Sequence, residues 1–139
     1  MIRLVVDSSV IVKWLNKDRE DNVDRADKIL TDVEKGNVIL IAPELAKYEV
    51  GNVLLFSKKL SSQQARISLK QFFKLPINFI ADSEESAILA YKIAKELGIT
   101  YYDASFLSVA EQLGAALVSD NIKHHGKSTK TQVISLRDY

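Results

Sequence analysis

The sequence predicts an α/β fold in which helices cover a mainly parallel sheet. Short β-branched runs alternate with longer segments of helical periodicity along the chain, and this alternation is typical of βαβ units. The chain has 139 residues, of which 47% are hydrophobic and 27% charged, and these values fit one soluble domain with a single core. We therefore expect residues 1–139 to form one domain.

The first strand and helix are predicted at the N-terminus. The apolar, β-branched run Ile2–Val6 predicts a strand. The polar triplet Asp7-Ser8-Ser9 follows it and supplies N-cap chemistry for a helix that carries Val10 to Leu15. We therefore expect Asp7 at the carboxyl end of a strand.

Three helices and a strand are predicted in the next segment. Apolar residues at helical spacing predict helices over 23–35, from Pro43 to Phe56, and from a cap at Ser61 or Ser62 to Phe73. Val38–Ile41 predicts the second strand, after a helix stop at Gly36. Pro43 fits the first turn of a helix. Glu49 and Asn52 share a turn of that helix.

The C-terminal half adds strands and two long helices. Asn78–Ile80 predicts a short strand, and Asp82 with Glu85 predicts a capping box for the helix that follows. Asp103 is expected at the start of the next helix, and the pair Tyr101-Tyr102 in the core or at an interface. The remaining predicted elements are the strand Ala115–Val118, the polar turn Ser119-Asp120-Asn121 and the strand Gln132–Ser135.

Acidic residues fall where this class of fold binds ligands. Ligands of open parallel sheets bind outside the carboxyl ends of the strands. Asp7 and Asp120 are expected at such ends, with Glu49 and Asp103 on helices beside them. Carboxylates held together raise each other's pKa unless a cation neutralises them, and oxygen ligands suit Mg²⁺ or Mn²⁺. The pattern predicts a metal site that activates water against a phosphodiester.

Each of these acids also has an ordinary structural interpretation. Asp7 and Asp103 fit helix N-caps, Glu49 fits an exposed helical position, and Asp120 fits turn chemistry beside Asn121. Taken singly, the positions leave both interpretations open.

Composition excludes several other kinds of site. The chain has no cysteine, which excludes disulfides, thiolate zinc sites and a cysteine nucleophile. Neither glycine-rich phosphate-loop motif occurs, and the two histidines stand together near the C-terminus, so a nucleotide-binding module and a Ser-His-Asp site are not favoured. No apolar run reaches roughly 18 residues and no cleavage signal is evident, so we expect a cytoplasmic protein without a membrane segment.

Basic residues are the candidates for contact with the phosphates of a polyanion. The net charge is only +1, so a polyanion site has to be a local patch. Lys123, His124 and Lys127 follow the last predicted acid, and Lys13 lies on the first predicted helix. The competing interpretations are a solvated loop for the first three and an exposed helical lysine for Lys13.

Three segments resemble, in order, the motifs of the PIN-domain family, and in particular the small VapC-type toxins of prokaryotic toxin–antitoxin pairs. LVVDSSVIVKWL is similar to the first motif and puts Asp7 on the first metal-binding acid. PELAKYEVGNVL is similar to the second, with Glu49 as the acid and Asn52 as its companion amide. TYYDASFLSVAEQLG resembles the third, in which Asp103 is a metal ligand.

The fourth motif departs from the family pattern. The family has Thr/Ser-x-Asp or Thr/Ser-x-Asn after the strand, whereas this chain has Ser119-Asp120-Asn121. In one register Ser119 is the hydroxyl and Asn121 takes the place of the acid. In the other register Asp120 is the fourth carboxylate, and the sequence leaves both open.

The resemblance implies a PIN-like three-layer α/β/α sandwich with a mainly parallel sheet of about four or five strands. It implies an endoribonuclease that depends on Mg²⁺ or Mn²⁺. It also implies a toxin that forms a homodimer and is inhibited by a cognate antitoxin. The alternative is a non-catalytic PIN-fold protein that binds RNA or a partner. The expected catalytic and metal-binding residues are Asp7, Glu49, Asp103 and Asp120, with polar support from Ser8, Asn52, Ser119 and Asn121.

Overall fold

The computed structural model describes residues 1–122 and 130–139. In these residues a five-stranded parallel sheet is flanked by helices in an α/β/α sandwich, which confirms the predicted fold class. The strands are β1 (Ile2–Val6), β2 (Val38–Pro43), β3 (Ile77–Ile80), β4 (Ala116–Ser119) and β5 (Val133–Ser135). The helices are α1 (Ser8–Leu15), α2 (Val23–Glu34), α3 (Leu45–Asn52), α4 (Ser62–Phe72), α5 (Glu84–Leu97) and α6 (Tyr101–Leu113). A π-helical turn, Val53–Ser57, continues α3, and a 3₁₀ turn, Leu136–Asp138, follows β5.

The order of the strands determines where a ligand can bind. The sheet has the order β3-β2-β1-β4-β5, so β1 lies between β2 and β4. The strands β2 and β3 therefore lie on one side of β1, and β4 and β5 lie on the other side. Ligands of open parallel sheets bind at the carboxyl ends of the strands where the order reverses in this way. In this sheet that position is the gap between β1 and β4.

The central strands are buried on both faces, which explains their continuous apolar sequence. Val5, Val6 and Leu117 are fully inaccessible to solvent. From α6, Phe106 and Leu107 pack into the same core with no exposed surface. This rigid centre fixes the strand ends from which the site residues project.

Two helix starts differ from the sequence prediction. Pro43 is the last residue of β2, opposite Ile80, rather than part of the first turn of α3. A proline is tolerated at a strand end because it interrupts the ladder least there. Helix α5 is capped by Ser83 with Ser86, and not by Asp82 with Glu85. Several adjacent polar residues compete for this cap, so a shift by one residue is easily made.

The boundary of β4 also differs, and it matters for the site. Ser119 belongs to the strand instead of the polar turn, and its side chain is fully buried. Among the helices of residues 1–122 and 130–139, none combines the length and the apolar character needed to cross a membrane.

Candidate functional site

Asp7 lies at the carboxyl end of β1 and caps α1, as its position in the sequence predicts. Its side chain is only 8% exposed. Oδ1 accepts a hydrogen bond from the backbone N–H of Ser8 at 2.7 Å. Oδ2 accepts from the hydroxyls of Ser9 at 3.1 Å and Ser119 at 2.7 Å. Donors from β4 and α1 therefore hold the carboxylate in one orientation.

Glu49, on α3, is bonded to Ser8, the residue that follows Asp7. Its Oε1 accepts a hydrogen bond from Ser8 Oγ at 2.8 Å. Burial raises the pKa of Glu49, the Ser8 hydrogen bond opposes that effect, and the negative charges of Asp7 and Asp103 raise the pKa further. The net pKa lies above the ordinary value, which indicates that three carboxylates, from the end of β1, from α3 and from the start of α6, share one electrostatic environment.

Asp103 belongs to the first turn of α6 but is not its cap. Thr100 is the N-cap, and its Oγ1 accepts the hydrogen bond from the backbone N–H of Asp103 at 3.0 Å. The alternative that Asp103 serves as the N-cap is therefore wrong. As an acid in the first turn of α6, Asp103 is favoured by the helix dipole. Its negative charge also acts on Glu49.

The fourth motif contacts Asp7 through hydroxyl groups. Ser119 Oγ donates to Asp7 Oδ2 and accepts from the backbone N–H of Asn121 at 3.0 Å. The backbone N–H of Asp120 donates to Ser9 Oγ at 3.2 Å. Two serine hydroxyls thus join the end of β4 to the first acid.

The carboxylate of Asp120 binds a buried lysine. Lys13 Nζ lies 2.9 Å from Asp120 Oδ2 and 2.9 Å from Glu20 Oε1, and it donates to the carbonyl of Asp21 at 2.7 Å. The Lys13 side chain is 1% exposed, so the expectation of an exposed helical lysine is wrong and its ammonium is not placed to contact RNA phosphates. Burial lowers the pKa of Lys13, but the bonds to Asp120 and Glu20 outweigh it and leave the pKa raised.

Glu20 extends this interaction to a second lysine. Its Oε2 lies 2.7 Å from the ammonium of Lys58, whose side chain is 4% exposed. Burial raises the pKa of Glu20, but hydrogen bonds from Lys58 and Lys13 more than compensate, so the pKa is lowered. Asp120, Lys13, Glu20 and Lys58 form a series of alternating charges, called here the four-charge chain.

Comparison with known families gives a clear result. The family model of the PIN domain matches residues 4–126 of this chain. The chain belongs to the PIN-domain family. No curated protein sequence matches it.

Solved structures share this PIN fold at low sequence identity. VapBC2 from Rickettsia felis, bound to a promoter DNA fragment, is 19% identical with a TM-score of 0.75, over 96% of this chain and 98% of that chain. DNA-bound VapBC from Salmonella typhimurium is 13% identical with a TM-score of 0.74, over 98% and 99%. VapC20 from Mycobacterium tuberculosis, described as a sarcin-ricin loop cleaving toxin, is 12% identical with a TM-score of 0.65, over 84% and 87%. At these identities the comparison shows a common fold.

The fold brings some of the predicted site residues together and leaves others apart. Asp7, Glu49 and Asp103 share one electrostatic environment, with Ser8 and Ser119 bonded to them. Asn52 is exposed at the end of α3. The predicted phosphate contacts Lys123, His124 and Lys127 lie outside the described residues.

Sequence reasoning did not assign a site role to Ser9, Glu20 or Lys58. One signal was available, because Lys13 interrupts the apolar run VIVKWL and a lysine inside a buried helix face requires an acidic partner. No local pattern identifies Glu20 as that partner.

The donor set fits the divalent metal that PIN nucleases use. In the part of the chain that the structure describes, no three acidic or histidine side chains are already arranged as a set of ligands. However, three carboxylates offer hard oxygen atoms within mutual electrostatic reach, which is the chemistry that Mg²⁺ and Mn²⁺ prefer. A cation would have to share Glu49 with Ser8 or draw it away from that hydroxyl.

Proposed function

We propose that this PIN domain is a metal-dependent endoribonuclease whose active site is formed by Asp7, Glu49 and Asp103. The observation that carries the proposal is that Ser8 bridges two of these acids: its backbone N–H donates to Asp7 Oδ1 at 2.7 Å and its hydroxyl donates to Glu49 Oε1 at 2.8 Å. Burial and the charges of Asp7 and Asp103 also raise the pKa of Glu49. Perturbed acids at the carboxyl edge of a sheet are typical of functional sites. The family and the fold agree with this proposal.

Asp7, Glu49 and Asp103 are the residues that would hold Mg²⁺ or Mn²⁺. A bound divalent cation supplies Lewis acidity and a more acidic water molecule. Ser8, Ser9 and Ser119 keep the oxygens of Asp7 in a fixed orientation. Such preorganisation favours ligation and attack in line with the phosphodiester.

Glu49 is suited to accept a proton from the attacking water. This role is the alternative to ligation, because a carboxylate that does not bind the cation directly can orient the water or act as its base. The hydrogen bond from Ser8 holds Oε1, so the other carboxylate oxygen is the one proposed to receive the proton.

RNA is the proposed substrate for two reasons. VapC20, which shares the fold, is described as a toxin that cleaves the sarcin-ricin loop. The net charge of +1 requires local contacts with phosphate, and the segment with Lys123, His124 and Lys127 supplies basic residues next in sequence to the fourth motif. Cleavage of RNA also agrees with a cytoplasmic location, which is part of the proposal.

The fourth position of the site remains a choice between Asp120 and Asn121. Lys13 binds Asp120 Oδ2, and the amide of Asn22 lies 3.5 Å from Oδ1, so a direct role for Asp120 as a ligand requires it to share these partners. We expect Asp120→Asn and Asn121→Ala to differ in metal affinity measured by calorimetry. The residue whose loss weakens binding more is the fourth ligand.

The biological role that we propose is that of a toxin in a VapBC-type pair, working as a homodimer and inhibited by an antitoxin. VapBC complexes from two bacteria share the fold. Large apolar side chains are exposed on α3, α4, α5 and the π-helical turn, and directly after α4, where protein partners can bury them. These include Tyr48, Leu55, Phe56, Ile67, Phe73, Ile88 and Tyr91. Expression of the natural chain should arrest bacterial growth, and expression of the Asp7→Asn variant should not. Light scattering of the purified protein should give twice the mass of one chain.

A non-catalytic PIN-fold protein that binds RNA or a partner is the second candidate. One observation favours it: in residues 1–122 and 130–139 no three acidic or histidine side chains are already placed to hold a metal. This candidate predicts RNA or partner binding that does not depend on divalent metal.

RNA cleavage tests the proposal directly. A panel of structured and single-stranded RNAs is incubated with Mg²⁺ or Mn²⁺, and separately with EDTA. We expect metal-dependent cleavage that Asp7→Asn and Asp103→Asn each abolish without unfolding the protein. Asp27→Asn is the matched control, because the Asp27 side chain makes a surface ion pair with Lys17 and is 49% exposed. Cleavage retained in either active-site variant would reject the assignment.

A further inference from the structure

A cavity of about 130 Å³ lies at the carboxyl ends of β2 and β3, between α3, α5 and α6. Pro43 and Ile80 contribute its floor from the two strand ends, and Leu45 lines it from α3. Tyr101 and Tyr102 line it from the first turn of α6. None of these side chains takes part in the proposed reaction.

The cavity adjoins the proposed active site through two helices. Leu45 and Glu49 are four residues apart on α3, which places them on the same helix face one turn apart. Tyr102 directly precedes Asp103 on α6. The backbone position of Leu45, which lines the cavity, therefore lies about one helical turn, or roughly 5–6 Å, from that of Glu49.

The size of the cavity limits what can enter. Pockets for drug-sized ligands have volumes of about 300–1,000 Å³. A volume of about 130 Å³ is smaller and suits one planar ring system rather than a helix or a peptide segment. The exposed apolar side chains suited to protein partners, such as Ile67 and Ile88, are not among its lining residues.

The lining has the chemistry of a base pocket. Tyr101 and Tyr102 are 40% and 60% exposed, so they are not core residues, and their rings can stack with a base. Glu44 and Asp82 add carboxylate groups. One oxygen of Glu44 is bound to Lys47 and one oxygen of Asp82 accepts from Ser83 and Ser86, so the other oxygen of each can accept a hydrogen bond from an exocyclic amino group. The described residues that line the cavity include no lysine, arginine or histidine, so phosphate is disfavoured there.

We propose, on the basis of the proposed ribonuclease function, that this cavity receives one unpaired RNA base beside the cleaved phosphodiester. An amino-bearing base, adenine or cytosine, is preferred over uracil because the carboxylates of Glu44 and Asp82 only accept hydrogen bonds, and the hydroxyls of Ser86 and Ser105 already donate to Asp82 and to the carbonyl of Tyr101. The cavity thereby sets nucleotide preference next to the cut.

Binding without cleavage tests the pocket independently of the nuclease activity. Fluorescence anisotropy in EDTA measures the affinity of the full chain for short oligomers of adenylate, cytidylate and uridylate. We expect the first two to bind more tightly than uridylate, by about 5-fold or more. Tyr102→Ala should weaken adenylate and cytidylate binding by roughly 10-fold, as expected for a lost stacking platform, and Tyr102→Phe should retain it.

Two further variants distinguish base binding in the cavity from binding elsewhere on the protein surface. Asp82→Asn should reduce the preference for amino-bearing bases. Tyr91→Ala is the matched control, because Tyr91 is 65% exposed on α5 and does not line the cavity. Affinities that do not differ between the three oligomers, or that Tyr102→Ala and Tyr91→Ala change equally, overturn the inference.

Cleavage of a randomised single-stranded RNA then distinguishes the two proposals. If the protein cuts RNA and Asp82→Asn leaves the nucleotide preference beside the cut unchanged, the pocket is rejected and the nuclease stands. If the oligomers bind with the expected preference but no RNA is cut, the pocket stands as a binding site and the nuclease is rejected.

Discussion

Glu49 is held in an unfavourable environment by the fold. It is partly buried beside Asp7 and Asp103, and these features raise its pKa more than the hydrogen bond from Ser8 lowers it. When the pKa of a carboxyl group is higher in the folded protein than in the unfolded chain, the protein becomes less stable as the pH rises through the unfolded and then the folded pKa. Above them the ionised Glu49 opposes folding, which is a common feature of functional sites.

Glu49→Gln should therefore stabilise the protein while inactivating it. The amide oxygen can still accept the hydrogen bond from Ser8, and the repulsion from two neighbouring acids is removed. We expect a higher thermal midpoint at pH 7, a smaller gain at pH 4, and cleavage lower by roughly 100-fold or more. Calorimetry at the two pH values measures the first two effects. The control is Glu96→Gln, an exposed position on α5, and a midpoint at pH 7 no higher than that of the control would contradict the account.

At the scale of elements, the four-charge chain joins α1 to the segments that follow α1 and β4. Lys13 lies on a helix that is otherwise buried and apolar, and it joins the segment after α1 to the turn after β4. Lys58 extends the four-charge chain to the end of the π-helical turn. A buried cation with two acidic partners leaves uncompensated charge if it is removed.

Lys13→Met should destabilise the protein by about 3 kcal/mol, the lower end of what breaking a buried ion pair costs, because Asp120 and Glu20 are 29% and 18% exposed. Lys17→Met makes the same substitution in a surface pair with Asp27 and should change stability by less than about 1 kcal/mol. Urea unfolding measures both. Equal effects of the two substitutions would show that the four-charge chain does not support the fold.

Element boundaries were predictable where one local signal dominates. Ile2–Val6 forms the predicted strand without change, because its apolar run is closed by Asp7. The start of α5 was not predictable, since Asp82 and Ser83 are both good caps and only packing selects between them. The role of Lys13 was also missed, because its partners Glu20 and Asp120 reach it only through the tertiary fold.

At the scale of the whole molecule, strand order brings the site together. Asp7 and Ser119 are separated by 112 residues and meet because β1 and β4 are neighbours in the sheet. The alternation of elements predicted a parallel sheet, but not which strand lies beside β1. The expectation that distant acids converge came from their positions at strand ends and from the family resemblance.

Stability of the whole chain should decline in acid. The pKa of Glu20 lies below its ordinary 4.5 because Lys58 and Lys13 outweigh the effect of burial. The pKa of Asp32 lies below 3.8, chiefly through the hydrogen bond from the hydroxyl of Tyr139. A lowered carboxyl pKa gives stability that is present above the unfolded value and is lost as the pH falls through the folded value.

Glu20→Gln should flatten this acid dependence. Urea midpoints measured from pH 7 to pH 3 should fall for the natural chain below about pH 4.5, and fall less steeply for the variant, which is less stable at pH 7. Asp18→Asn is a suitable control because Asp18 is 70% exposed. The same acid dependence in the natural chain and in Glu20→Gln would contradict the assignment of a lowered pKa to Glu20.

The central claim is that Asp7 and Asp103 belong to one metal site, and calorimetric titration with Mn²⁺ in the absence of RNA tests it most directly. We predict binding to the natural chain and to Asp27→Asn, and binding weaker by about 10-fold or more for Asp7→Asn and for Asp103→Asn. Equal Mn²⁺ affinity in all four proteins, or no binding to the natural chain, would contradict the account.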